Sequence, residues 1–155
     1  MAERQHNLES EGFDVAQFEE LITLMVWRQR RRFAQSLNAL GLTMPQFLAL
    51  MIVKAHGGRC PMGDLAEAAE QCSATMTGIV DRLANMGLVQ RERDPSDRRS
   101  ILVSLTEQGE ALLETAKSGR TERARQLLSH FTPEERQQIL GLLVRYLEVL
   151  VSDLG

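Results

Sequence analysis

Two small groups of residues in this sequence could do chemistry on an anion. The first is a set of short hydroxyls, Ser73, Thr75 and Thr77. They open a segment whose apolar residues Met76, Ile79, Val80, Leu83 and Met86 recur at helical spacing. Short hydroxyls let a helix tip approach a surface closely and donate to phosphate or base edges. The free backbone amides of a first turn add anion affinity. The bland alternative is that Ser73 is a simple N-cap and the threonines are solvated surface. The second group is Asp97-Arg98-Arg99. It follows two strand-like runs, Leu88–Arg93 and Ser100–Leu105, joined by the turn residues Asp94-Pro95-Ser96-Asp97. Nothing in a fold needs two adjacent guanidiniums at a hairpin tip. A protruding arginine suits the narrow, negative minor groove of a duplex, and Asp97 can hold it in shape through a charge-assisted pair.

The surrounding elements must aim these groups. Gly87 stops the hydroxyl-tipped helix. In the second strand Ile101, Val103 and Leu105 alternate with Leu102 and Ser104, so one face is expected to meet the core and set the hairpin register. Upstream, Asp64–Ala69 is short and alanine-rich, and Glu70-Gln71-Cys72 makes a turn, which is the spacing of a helix-turn-helix. A helix before it opens on Thr43-Met44-Pro45-Gln46, a capping box with an early proline, and ends at Gly57-Gly58. Thr106-Glu107-Gln108-Gly109 begins another long helix, polar through Lys117–Arg125. Thr132-Pro133-Glu134-Glu135 begins the last. The reading is mainly α with a small β-hairpin wing. Residues 43–105 form a winged helix-turn-helix lobe, and terminal helices occupy 13–40 and 106–155. The first terminal helix is apolar on more than one side, with Leu24, Val26 and Trp27 off its main stripe. The last carries Ile139, Leu142, Leu143, Leu147, Leu150, Val151 and Leu154. Such faces need cover, and a second copy of the chain is the natural one.

Bulk properties agree with one domain among 155 residues, of which 43 % are hydrophobic and 25 % charged. A net charge of −3 argues weakly against nucleic acid, but phosphate binding needs only local positive charge. Between residues 81 and 99, Arg82, Arg91, Arg93, Arg98 and Arg99 face Asp81, Glu92, Asp94 and Asp97, so the arrangement must decide. No apolar run is long enough to span a membrane and the polar N-terminus lacks a signal core, so a cytoplasmic location is expected. Cys60 and Cys72 do not make a disulfide scaffold, and His6, His56 and His130 are not at metal-ligand spacing from them. No metal, cofactor, nucleophile–base pair or phosphate loop is expected, and hence no enzyme.

The words Asp64-Leu65-Ala66, Thr75-Met76-Thr77, Val80-Asp81-Arg82-Leu83 and Gly87-Leu88-Val89, then Asp94-Pro95-Ser96-Asp97-Arg98-Arg99-Ser100 running into Leu105-Thr106-Glu107-Gln108-Gly109, resemble the MarR family of bacterial winged-helix regulators. The wing signature is the specific part, and the order of the other elements extends the likeness over about the whole chain. The resemblance implies a homodimer interlocked by its first and last helices, with two recognition helices in successive major grooves of double-stranded DNA and wings in the flanking minor grooves. It assigns Ser73, Thr75, Met76 and Thr77 to the groove, Arg82 and Arg98 to the backbone, Arg99 to the minor groove and Asp97 to orienting it. Two departures stand out: Glu70-Gln71 occupies a turn where relatives often have glycine, and Cys72 stands where a polar cap is common.

The resemblance also implies a repressor released by a small aromatic or phenolic acid, or by oxidation. Trp27, Arg28, Arg31 and His56 are the ligand candidates, the arginines and histidine as partners for a carboxylate. The bland readings are a core tryptophan and, for Arg28–Arg32, a solvated helix face. Cys72 is the redox candidate because a helix N-terminus lowers a thiol pKa; the alternative is that Cys60 and Cys72 are small packed residues. The family's peroxide sensors carry the reactive cysteine in the first helix, where this chain has none. A winged-helix module that binds another protein instead of DNA is the remaining alternative.

Overall fold

Side-chain caps and positive-φ residues cut the chain where they should. In the computed structural model the described residues are 14–93 and 100–152. Helix α1 (Val15–Ala39) opens on Asp14, whose carboxylate accepts from the Gln17 amide. Helix α2 (Met44–Ala55) carries the expected capping box: Gln46 Oε1 accepts from the Thr43 amide at 2.8 Å. The short β1 (Arg59–Pro61) runs directly into α3 (Met62–Ala68). Then come α4 (Ser73–Asn85), β2 (Val89–Arg93), β3 (Ile101–Leu105), α5 (Glu107–Leu128) and α6 (Pro133–Ser152).

The chain divides into two compact units, residues 1–113 and 114–155. The first holds an antiparallel sheet of order β1-β3-β2. Strand β1 is absent from the sequence reading, because three residues ending in proline carry no alternation to detect. It corrects one expectation. With neighbours on both edges, β3 buries Leu102 and Val103 in succession instead of a single face. The register pairs Val89 with Leu105 and Arg93 with Ile101, so the hairpin reading holds up to its turn.

Against this sheet sit Leu50 and Val53 of α2, Leu65 of α3 and Met76, Val80 and Leu83 of α4, each almost wholly buried. Each such side chain contributes about 1.5–3 kcal/mol relative to exposure. Phe33 of α1 meets Phe47 of α2 edge-on, with ring centroids 5.1 Å apart. In the second unit α5 ends and α6 begins through reciprocal caps. The Thr132 amide donates to Glu135, the Glu135 amide donates to Thr132 Oγ1, and Arg136 Nε donates to the Leu128 carbonyl at 2.8 Å. No single helix among the described residues is long and apolar enough to cross a membrane.

Candidate nucleic-acid interface

Helix α4 has two chemically distinct sides. Met76, Ile79, Val80 and Leu83 are buried, while Ser73, Ala74, Thr75, Gly78 and Arg82 are exposed. Small residues dominate that open side, so nothing keeps the first turns away from a flat polyanion. The hydroxyls are not equivalent. Thr77 is half-buried and donates its proton to the Ser73 carbonyl at 2.8 Å. Thr75 Oγ1 lies 3.1 Å from Cys72 Sγ. Ser73 and Thr75 therefore lead the open tip. Met76 is fully buried, which corrects its assignment to the groove: its apolar chain completes the core between α4 and the sheet.

The turn before α4 keeps the geometry of a glycine turn without the glycine. Glu70 has φ 50°, the sole positive value at a non-glycine among the described residues. Its amide donates to the Glu67 carbonyl and the Gln71 amide to the Ala66 carbonyl, each at 2.9 Å, the double closure of a helix C-terminus. At the other end of α4, Gly87 (φ 73°) and Leu88 close on the Ala84 and Leu83 carbonyls in the same way.

Charge around the sheet is sorted by pairing. Asp81 of α4 takes Arg91 of β2 in an ion pair. Glu92 takes Arg59 of β1 at 2.5 Å. Both acids are thus matched by guanidiniums, and Arg82 and Arg93 have no carboxylate partner among the described residues. Because Arg59 comes from outside this segment, pairing leaves two unmatched guanidiniums, Arg82 and Arg93, among its described residues. Arg59 escaped the sequence reading because β1 did. Asp97, Arg98 and Arg99 lie outside the described residues.

The two cysteines part company. Cys60 is buried in β1, where burial, reinforced by Asp64, pushes its thiol pKa up. Cys72 is exposed, which corrects its reading as a packed residue. It is the N-cap residue of α4, and the Thr75 hydroxyl, followed by backbone amides of the first turn, holds its thiol pKa below the usual value.

The ligand candidates are only partly gathered. The Arg31 guanidinium stacks over the Trp27 ring, 5.5 Å from its centroid. Trp27 is 55 % exposed, so it is not a core tryptophan of this chain. It borders a shallow hollow along α1 with Ala16, Glu19, Glu20, Thr23 and Leu24; Arg28, Arg31 and His56 are not in its lining. His56 ends α2, its Nδ1 2.9 Å from the Ile52 carbonyl. Among the described residues no group of three or more His, Cys, Asp and Glu is arranged to hold a metal.

Comparison with known proteins agrees with this geometry. Residues 42–101 match the model of the MarR family. The HTH-type transcriptional repressor NicR of Pseudomonas putida is 32 % identical over 142 residues, spanning 91 % of this chain and 89 % of NicR. The homoprotocatechuate degradative operon repressor of Escherichia coli is 37 % identical over 84 residues, 54 % of this chain and 57 % of that protein. A mutant of S. aureus MepR bound to an oligodeoxyribonucleotide superposes with a TM-score of 0.72 at 26 % identity, covering 86 % of this chain and 97 % of that one. A helix-turn-helix with an open hydroxyl tip, a three-stranded wing sheet and these likenesses place the chain among DNA-binding regulators and not enzymes: it belongs to the MarR family of winged-helix transcriptional regulators.

Proposed function

We propose that this regulator is a repressor that binds a pseudo-palindromic operator as a homodimer and is released by a small aromatic or phenolic acid. The observation that carries the DNA reading is the split of α4 into a fully buried apolar side and an open tip of Ser73 and Thr75. The tip would enter the major groove, with Arg82 on the phosphate backbone and Arg98 and Arg99 on the wing. Repression is the activity in the names of NicR and of the operon repressor.

Homodimerisation is supported by what the chain leaves uncovered. Leu21, Leu24, Val26 and Trp27 of α1 and Leu140, Leu142, Leu147 and Val151 of α6 are all exposed. Helix α1 is also self-complementary in charge. Glu20, Leu24, Trp27 and Arg31 follow one another at helical spacing, so an antiparallel second α1 would set Glu20 against Arg31 and Leu24 against Trp27. The acid effector is supported by the Trp27–Arg31 stack, an aromatic face beside a cation, and by the aromatic acid in the name of one relative. A thiol switch is the second reading, favoured by the exposed Cys72 with its lowered pKa at the base of the DNA-reading tip.

A salt-resolved gel-shift titration on a duplex selected from random sequence tests the reading. Thr75→Val and Arg99→Ala are each expected to cost about 1–3 kcal/mol of specific affinity. Undiminished binding in both variants would remove α4 and the wing from the interface. Homoprotocatechuate added to the complex is expected to dissociate it; a complex that persists at millimolar acid rules out this class of effector.

A further inference from the structure

The start of α5 is tied to the end of α4 more closely than a chain reversal requires. Thr106 is the residue before α5, and its hydroxyl works at both ends. Oγ1 accepts from the Gly109 amide at 3.0 Å, the ordinary service of an N-cap. It also donates to the Gly87 carbonyl at 2.7 Å, on the glycine that closes α4. The Thr106 amide donates to the Leu88 carbonyl at 3.1 Å. Gly109 is buried against that same carbonyl: a Cβ there would be driven into Leu88 O and lie 2.8 Å from Leu105 Cδ1. Gln108 covers Gly87 from above, its Oε1 3.0 Å from where a Gly87 Cβ would stand. The first turn of α5 thus rests, backbone on backbone, on the corner where α4 becomes β2.

We propose that Thr106 and Gly109 form a rigid joint that fixes the direction of α5 to that of the DNA-reading helix, making them positioning residues for two-site DNA recognition. Helix α5 is the element through which the chain passes from its first unit into its second. A dimer reads two half-sites at one spacing only if each α4 is held stiffly to the helix leading toward the partner. A loose joint leaves each lobe able to bind alone but lowers the effective concentration of the second lobe once the first is bound. The inference rests on the dimeric reading above.

The test compares two duplexes: one selected from random sequence by the wild-type protein, and the same duplex with one half scrambled. Thr106→Asp keeps an N-cap acceptor for the Gly109 amide but cannot donate to Gly87, and its charge repels that carbonyl. It is expected to change half-site affinity and full-site affinity unequally, losing about tenfold or more of the full-site preference. Thr106→Ser, which retains both bonds, is expected to restore it. Parallel losses on both duplexes, or none, overturn the joint. A wild-type protein with no preference for the full duplex overturns the dimeric reading and the joint with it. Amide hydrogen exchange on the wild-type protein gives a check independent of any variant: the Gly109 amide is expected to exchange only through global unfolding. Exchange through a local opening of the first turn of α5 overturns the rigid joint.

Discussion

Helices α4 and α1 belong to the same compact unit and put their apolar residues to opposite uses. In α4 four of thirteen residues are buried, and the helix packs on α3, α2 and the sheet. In α1 only Leu37 of twenty-five residues is buried, and a row from Val15 to Trp27 faces outward. Helix α6, in the other unit, has no buried residue at all. Helix α4 is therefore completed by its own chain, whereas the terminal helices carry apolar surface that the single chain does not use. An apolar face of that extent is what supports the dimeric reading proposed above.

The contrast can be broken most forcefully at Met76. Met76→Ala is expected to cost about 2–5 kcal/mol in urea unfolding, as for a large buried side chain. If stability is unchanged and only DNA affinity falls, α4 does not have the buried face described here. The opposite experiment is Leu142→Asp on α6, where the side chain is 68 % exposed. It is expected to weaken self-association at least about tenfold by sedimentation equilibrium, about 1.4 kcal/mol, with little loss of lobe stability. A shift in the unfolding of the lobe instead of in mass would show that α6 is covered by its own chain.

Smaller effects sharpen the picture at the turn. Glu70→Gly removes a Cβ from a left-handed position, and against the entropy of the unfolded glycine the net gain is expected to be about 0.5–1 kcal/mol in thermal unfolding. A loss would mean that the Glu70 side chain contributes something its backbone angle conceals. The least energetic test is chemical. Because hydrogen bonds from Thr75 and the first-turn amides favour the thiolate, Cys72 is expected to alkylate at a lower pH than an ordinary cysteine, and well before Cys60. The sign is that of a depressed pKa: reactivity rises as pH passes upward through it, and Thr75→Val should move that rise to higher pH. A pH–rate profile unchanged in the variant would discard the Thr75 contact as the cause.

How much of this was legible beforehand differs from one feature to the next. The helix-turn-helix, the Gly87 stop and both capping boxes are local chemistry, decided within four or five residues, and each stands where its residues indicated. Even the Leu-Thr-x-x-Gly word was visible, though only as a motif. Its reason appears when Gly109 is found against the Leu88 carbonyl, twenty-one positions earlier in the chain. The side on which Met76 falls was open, because a helical stripe and a groove-facing position can claim the same residue. Burial settled it in favour of the core.

The sequence by itself determined where helices begin and end, which helix tip is small and hydroxyl-bearing, and that the terminal helices hold more apolar surface than a chain end can leave wet. Those properties follow from residue type and near-neighbour spacing. Only the tertiary structure decided that β3 is a central strand, that Asp81 and Glu92 are neutralised by Arg91 and Arg59, that one cysteine is buried and the other open, and that Thr106 ties two helices together. Each of these depends on which distant segments share a surface, and pairing between distant segments leaves no periodic trace in either one.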